Sequence, residues 1–230
     1  MYLEKIQSPE DVKKLDVEQL KVLAGEMRQA LIQKLSVHGG HVGPNLGMVE
    51  ATIAMHYVFD SPKDKMVFDV SHQSYCHKML TGRADAFLDE AKYDDVSGYS
   101  EPSESAHDFF CIGHTSTSVS LACGLAKARD LADENYNVIA VIGDGSLSGG
   151  EALEGLDFAK ELNGNLIVVV NDNEMSIAEN HGGLYENLKL LRDTKGQAEC
   201  NIFKAMGLNY VFVEDGNDLT QLIDAFKRVK

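Results

Sequence analysis

Basic residues are few in this sequence of 230 residues, and long apolar runs are missing from it. Lys and Arg together number 21 against 36 Asp and Glu, which gives a formal net charge of −15. No cluster of Lys or Arg offsets this excess, so the composition argues against a polyanionic partner such as nucleic acid. An anionic small ligand would need local help from a metal ion or from backbone amides.

No apolar run approaches the ~18 residues that cross a bilayer, and the N-terminal segment lacks the apolar stretch of a secretory signal. Cysteine is also scarce: Cys76, Cys111, Cys123 and Cys200 lie far apart, without a CxxC pair. This spacing argues against a zinc site, and such thiols are typical of a reducing compartment. We therefore predict a cytoplasmic protein without membrane contact.

Short β-branched runs alternate with segments in which apolar residues recur every three or four positions, which predicts alternating strands and helices. Asp16 and Gln19 make a capping box at the start of the first long helix, and Asn45 is predicted to cap the second helix. The expected strands are 64–70, 137–142, 166–170 and 208–215. A long loop is expected over 83–112, and the later helices are expected after 113, at 149–162, 184–191 and 199–206, and from 217.

The strands at 137–142 and 166–170 are apolar on both faces. Such strands are typical of an α/β fold in which a parallel sheet has helices on both faces. We predict this architecture as a single domain over residues 1–230. Ligands of such sheets bind at the carboxyl ends of the strands.

Polar clusters follow the predicted strands or begin the predicted helices. They are Ser71-His72, Gly113-His114-Thr115, Gly143-Asp144-Gly145-Ser146 and Asn171-Asp172-Asn173. An acid and an amide at neighbouring strand ends could share one Mg²⁺, while glycines let the backbone approach a diphosphate. Alone, Gly-Asp-Gly is better explained by a tight turn with an Asx hydrogen bond. Together with Asn171-Asp172-Asn173, one strand–helix–strand unit later, it favours a metal and diphosphate site. The P-loop pattern is absent, and the Rossmann pattern is only approximated.

Gly143-Asp144-Gly145 followed by Asn171-Asp172-Asn173 resembles the thiamine-diphosphate signature of transketolase-like enzymes. Residues 38–83, 97–130 and 171–184 are similar, in the same order, to 1-deoxy-D-xylulose-5-phosphate synthases. The resemblance implies a transferase that uses thiamine diphosphate and Mg²⁺. Such an enzyme joins a two-carbon unit of pyruvate to D-glyceraldehyde 3-phosphate, and its product is a precursor of isoprenoids and thiamine.

The family pattern also implies roles for the residues after the second and third strands. Asp144, Asn173 and the main-chain carbonyl of Met175 would bind Mg²⁺. Asn173 would thereby also belong to the cofactor site. Gly145 and Ser146 would lie on the diphosphate.

Earlier motifs are implied to complete the pocket. His72, Gly113, His114 and Thr115 would line the cofactor, and His41 would face the reacting carbon and assist proton transfer.

The sequence departs from the family pattern at two residues, in the length of one segment and in overall length. Ser71 stands where the family usually has Gly, and Thr115 stands where it has Ser. The segment before 208 is shorter than in the synthases. We expect the pyrimidine-binding and C-terminal domains of the family to be absent from these 230 residues. The chain is therefore expected to be inactive alone and to need a pyrimidine-binding domain or subunit, in an enzyme that is expected to be a homodimer when complete. A transketolase-type ketol transferase and a non-catalytic domain that retains the fold are the alternatives.

Overall fold

The computed structural model describes residues 1–162, 164–175 and 179–230, which form two compact units. Unit 1 comprises Met1–Asp64, Ser71–Gly113 and Asp215–Lys230, and unit 2 comprises Lys65–Val70 and His114–Glu214. Within the described part of the chain, no helix is long and apolar enough to cross a membrane.

Three strands and twelve α-helices make up the regular structure of the described residues. The strands are β1 Lys65–Phe68, β2 Val138–Gly143 and β3 Leu166–Asn171. The helices are α1 Pro9–Val12, α2 Val17–His38, α3 Val42–Leu46, α4 Val49–Val58, α5 Tyr75–Lys78, α6 Asp85–Leu88, α7 Ser118–Leu131, α8 Asp144–Leu147, α9 Gly150–Ala159, α10 Gly183–Asp193, α11 Ile202–Ala205 and α12 Leu219–Val229. Short 3-10 turns lie at Leu3–Lys5 and Glu90–Asp95, and a π-helical turn spans Met79–Arg83.

The strands of unit 2 form one parallel sheet in the order β1-β2-β3. The central strand β2 is buried from Val138 to Ile142, as expected of a strand that is apolar on both faces. In the register, Gly143 pairs with Asn171, so β2 and β3 end side by side. The predicted α/β class with a parallel sheet is confirmed.

Helix α7 packs against all three strands and against α9. The contact with α9 depends on Gly155, because a Cβ there would lie 2.9 Å from the Ser120 nitrogen. At the other end of α7, Arg129 is 2% exposed and donates to the carbonyls of Tyr136 and Asn165. These carbonyls precede β2 and β3, so one buried guanidinium joins the starts of two neighbouring strands.

Unit 1 is helical. Helix α2 begins at the predicted capping box, because the Asp16 carboxylate accepts from Gln19 N–H and the Gln19 side chain accepts from Asp16 N–H. Its buried face includes Leu20, Leu23 and Met27. Helix α4 packs against α2 and α12 and is buried over nearly its whole length. Because α4 is covered on all sides, apolar residues occur all round it, and its sequence does not separate an apolar face from a polar one.

Two local predictions are wrong. Asn45 is not a cap: it lies inside α3, and the predicted second helix is divided into α3 and α4. Residues 208–215 form no strand, because they do not pair with a neighbour and a strand exists only through such pairing.

The predicted long loop at 83–112 contains α6 and a 3-10 turn. Its later part is held in place by hydrogen bonds to the carboxylate of Asp108. Asp108 is 5% exposed and accepts two hydrogen bonds of 2.9 Å from Arg83 and one of 3.1 Å from His77. Burial opposes the charge of Asp108, but these hydrogen bonds prevail and hold its pKa well below the usual range. The segment is therefore an ordered part of unit 1.

Candidate functional site

The acid between glycines, Asp144, lies where β2 ends and α8 begins, and it is only 2% exposed. Asn180 Nδ2 donates to its Oδ2 at 3.0 Å. Burial raises the pKa of Asp144, and the neighbouring carboxylate of Asp172 raises it further, against hydrogen bonds from Gly145 N–H and Asn180. A buried carboxylate in this position gains stability when a cation neutralises it.

The second acid, Asp172, leaves the adjacent strand. Because Gly143 and Asn171 are paired, the residues that follow them, Asp144 and Asp172, emerge from neighbouring strand ends. Asp172 forms an ion pair with Arg192. Glu174 also forms an ion pair with Arg192. The carboxylates here therefore outnumber the guanidinium, and this excess of negative charge favours a divalent cation.

The turn after β3 holds the other two predicted metal ligands. Asn173 Oδ1 accepts from Met175 N–H at 3.0 Å, and the Met175 backbone forms an isolated antiparallel bridge with Glu179. Residues 176–178 lie outside the described residues. Within the described ranges, no group of three or more His, Cys, Asp and Glu is placed to hold a metal. A cation here would therefore depend on amide and carbonyl oxygens as well as Asp144.

A third polar segment is fixed by a buried carboxylate that follows β1. Asp69 is 1% exposed, and its two oxygens accept from Ser116 N–H at 2.9 Å and Ser118 N–H at 3.0 Å. These bonds anchor the start of α7. The two predicted cofactor residues that precede this anchor, His114 and Thr115, are exposed to solvent.

The segment before α7 packs against the segment after β2. Ser116 has φ 72° and donates from Oγ to the Ser146 carbonyl at 2.7 Å. A Cβ at Gly149 would lie 1.9 Å from Ser116 Oγ, so glycine is required there. Tyr185 donates to Ser148 Oγ at 2.8 Å, and Ser148 Oγ donates to the Gly145 carbonyl at 3.3 Å. Unit 2 thus brings Ser146 and Gly145 into one hydrogen-bonded cluster at the edge of the sheet that carries Asp144.

Unit 1 brings together two further predicted residues, His41 and His72, whose ring centroids lie 5.3 Å apart. Asn45, which is fully buried, donates to the carbonyl of His41 at 2.7 Å and to that of His72 at 2.8 Å, and accepts from Tyr75 N–H at 2.9 Å. The rings of Tyr75 and Tyr99 complete an aromatic cluster around His41. One amide side chain therefore fixes the backbone on which both histidines are carried.

Ser71, one of the departures from the family pattern, is fully buried with φ 67°, a conformation that favours glycine. Its hydroxyl donates to the Ile112 carbonyl at 2.9 Å and accepts from Ser100 N–H at 2.8 Å. Serine therefore supplies two hydrogen bonds that glycine could not. Gly113, the next residue after Ile112, is exposed, and a Cβ there would meet nothing within 4 Å.

Sequence reasoning missed three residues of these clusters. The sequence favours a helix cap at Asn45, and nothing in its spacing indicates that its side chain binds three main-chain groups. Tyr75 gave no signal, because a tyrosine in a short helix is usually a core residue. Asp69 carried the same signal as Asp144, an acid directly after a buried strand, and could have been found by it.

The fold has known counterparts. A transketolase from Leishmania mexicana superposes with a TM-score of 0.70 at 20% identity, covering 94% of this chain and 35% of that one. A transketolase mutant from Pichia stipitis gives a TM-score of 0.68 at the same identity and coverage. The fold is therefore that of the transketolase class of α/β proteins.

Sequence comparison identifies the family within that class. The profile described as 1-deoxy-D-xylulose-5-phosphate synthase matches residues 3–201. The synthase of Brevibacillus brevis is 53% identical over 266 residues, covering all of this chain and 42% of the relative. That of Dictyoglomus turgidum is 44% identical over 265 residues, covering all of this chain and 43% of the relative. The chain belongs to the 1-deoxy-D-xylulose-5-phosphate synthase family, and it spans about two fifths of the length of these relatives.

Proposed function

We propose that this chain is the part of a 1-deoxy-D-xylulose-5-phosphate synthase that binds Mg²⁺ and the diphosphate of thiamine diphosphate. The complete enzyme would convert pyruvate and D-glyceraldehyde 3-phosphate to 1-deoxy-D-xylulose 5-phosphate and CO₂. The observation that carries the proposal is the buried Asp144 at the end of β2, beside the polar turn that follows β3.

The residues at these strand ends fit Mg²⁺. Asp144, the amide oxygen of Asn173 and the carbonyl of Met175 offer only oxygen, which Mg²⁺ prefers. Burial raises the pKa of Asp144, and this cost to its charge would be relieved by a cation. All three proposed ligand atoms are oxygens, so the metal would need no histidine or thiol.

The neighbouring segment fits a diphosphate. Gly145 lies next to the proposed metal ligand, and Ser146 is fixed through its carbonyl by Ser116, so its backbone has a defined position. An acidic chain with no basic cluster would bind a diphosphate through the metal and backbone amides, as its composition predicts. When bound, thiamine diphosphate supplies the carbon that takes up the two-carbon unit of pyruvate.

On the family resemblance, His72, Gly113, His114 and Thr115 remain the proposed lining of the cofactor pocket, and His41 the proposed proton-transfer residue. The Asn45 bonds to the carbonyls of His41 and His72 support an ordered placement of both. The pyrimidine-binding part and the homodimeric assembly of the complete enzyme also stay predictions.

Isothermal titration of the 230-residue chain with thiamine diphosphate tests the proposal. We expect binding in the presence of Mg²⁺ and its loss in excess EDTA, because the oxygens at the strand ends would hold the diphosphate through the metal. Unphosphorylated thiamine serves as the matched ligand control and is expected to bind far more weakly, since it lacks the group that the metal holds.

Equal binding of thiamine and thiamine diphosphate would contradict the proposed role of the strand-end residues. No binding of either ligand with Mg²⁺ would contradict the proposed cofactor site and favour a non-catalytic domain that retains the fold.

A further inference from the structure

We propose that Tyr75 is a positioning residue for His41: its phenol hydroxyl donates to His41 Nδ1 and holds the neutral imidazole with its proton on Nε2. The proposal rests on the proposed function for the role of His41, whereas the contact between the two side chains belongs to the fold of unit 1.

The contact joins two side chains whose backbones are both held by Asn45. His41 Nδ1 lies 3.2 Å from the Tyr75 hydroxyl oxygen. Asn45 accepts from Tyr75 N–H at 2.9 Å and donates to the His41 carbonyl at 2.7 Å. Tyr75 is 5% exposed, so its ring has little freedom to leave this position. The distance between the imidazole and the phenol is therefore set by the fold.

The phenol keeps its proton at neutral pH. Burial raises the pKa of Tyr75, and hydrogen bonding from the His41 backbone offsets this only in part. A protonated phenol carries one O–H that it can donate to a nearby acceptor. Among the residues that the structure describes, the acceptor at hydrogen-bond distance is His41 Nδ1.

The direction of this bond decides the tautomer of the imidazole. A neutral imidazole carries one proton, and the nitrogen that accepts a hydrogen bond leaves that proton on the other nitrogen. With Nδ1 as acceptor, Nε2 carries the proton. His41 would then begin its work as a proton donor to an oxygen, such as that of a carbonyl substrate, and not as a base.

Two glycines leave room for the phenol oxygen. A Cβ at Gly40 would lie 3.0 Å from it and one at Gly98 3.3 Å from it. Gly40 also has φ +127°, a backbone conformation that side chains disfavour. His41 and Tyr75 both line a cavity of about 220 Å³ in unit 1, together with these glycines. The pair therefore borders a space of a size suited to a small carbonyl compound.

The test is ¹⁵N NMR of the histidine side chains in the 230-residue chain, which requires no cofactor. We expect His41 to show a protonated Nε2 and a hydrogen-bonded, unprotonated Nδ1. In Tyr75→Phe, the Nδ1 resonance should move to that of a nitrogen without a hydrogen bond. Tyr99→Phe is the matched control: its ring centroid lies 5.4 Å from that of His41, and it should leave the Nδ1 resonance in place.

A proton found on Nδ1, or the same Nδ1 resonance in Tyr75→Phe as in the unaltered chain, would overturn the proposal. Circular dichroism confirms that the variants are folded. If the spectra agree with the proposal but the chain binds no thiamine diphosphate, the proposed function fails while the positioning contact stands.

In the complete enzyme, Tyr75→Phe is expected to lower kcat about tenfold with little change in KM, the effect of one hydrogen bond lost from an oriented catalytic group. A rise in KM with unchanged kcat would contradict a positioning role.

Discussion

Replacing Asn45 by Ala is expected to lower the free energy of unfolding by about 3 kcal/mol. Three main-chain groups lose the Asn45 side chain as a partner: the carbonyls of His41 and His72 and the N–H of Tyr75. A buried polar group that loses its partner costs about 1 to 3 kcal/mol, and the lower value applies where water can enter. At about 1 kcal/mol for each group, the sum is about 3 kcal/mol.

Asn45→Asp tests the same reasoning with a side chain of equal size. It keeps an oxygen that accepts from Tyr75 N–H, but it places a carboxylate oxygen against the carbonyls of His41 and His72, where the amide donated. We therefore expect a loss at least as large as that of Asn45→Ala, because the vacated bonds become repulsive contacts.

The measurement is urea unfolding followed by far-ultraviolet circular dichroism, since the chain has no tryptophan to report by fluorescence. Asn135→Ala, at an exposed position, is the matched control and should change stability by less than about 0.5 kcal/mol. If Asn45→Ala lowers the free energy of unfolding by less than about 1 kcal/mol, the Asn45 side chain does not hold the three main-chain groups as described.

Two further predictions concern stability. Burial lowers the pKa of His56 and His77. Below pH ~6.5 the unfolded chain therefore binds more protons than the folded chain, and the free energy of unfolding should fall as the pH drops through that value. His56→Gln should make this fall smaller, because one of the two buried histidines is then missing. Urea midpoints from pH 7.5 down to pH ~5.5 measure this, and pH-independent midpoints would contradict it. Gly155→Ala should destabilise by about 1 to 3 kcal/mol, because its Cβ would crowd Ser120, whereas Gly124→Ala, on an exposed part of α7, should stabilise by about 0.5 to 1 kcal/mol. Equal effects of the two substitutions on the thermal midpoint would contradict the assigned packing of α7 on α9.

The sequence predicted the sheet better than the helical part of the chain. Strands β1, β2 and β3 were found because β-branched runs without polar interruption have few alternative structures. Residues 208–215 carry a similar pattern and form no strand, because a strand needs a partner that local sequence cannot specify. The division between α3 and α4 was missed for a related reason, since Asn45 is satisfied by groups distant in the sequence.

The candidate site was predictable where an acid follows a buried strand, as Asp144 does. Its neighbours were not: the contact between His41 and Tyr75 and the bonds from Asp69 to the start of α7 depend on tertiary structure. Composition and spacing indicate which chemistry is available at a strand end. They do not indicate which buried side chains hold that chemistry in place.

We propose that Asp144 binds the cation that would hold the diphosphate. Titration of Asp144→Ala with thiamine diphosphate and Mg²⁺ tests it most directly, with Asp157→Ala, an exposed acid of α9, as the matched control. We predict that Asp144→Ala loses Mg²⁺-dependent binding and that Asp157→Ala binds as the unaltered chain does. Unchanged affinity in a folded Asp144→Ala variant would contradict the account.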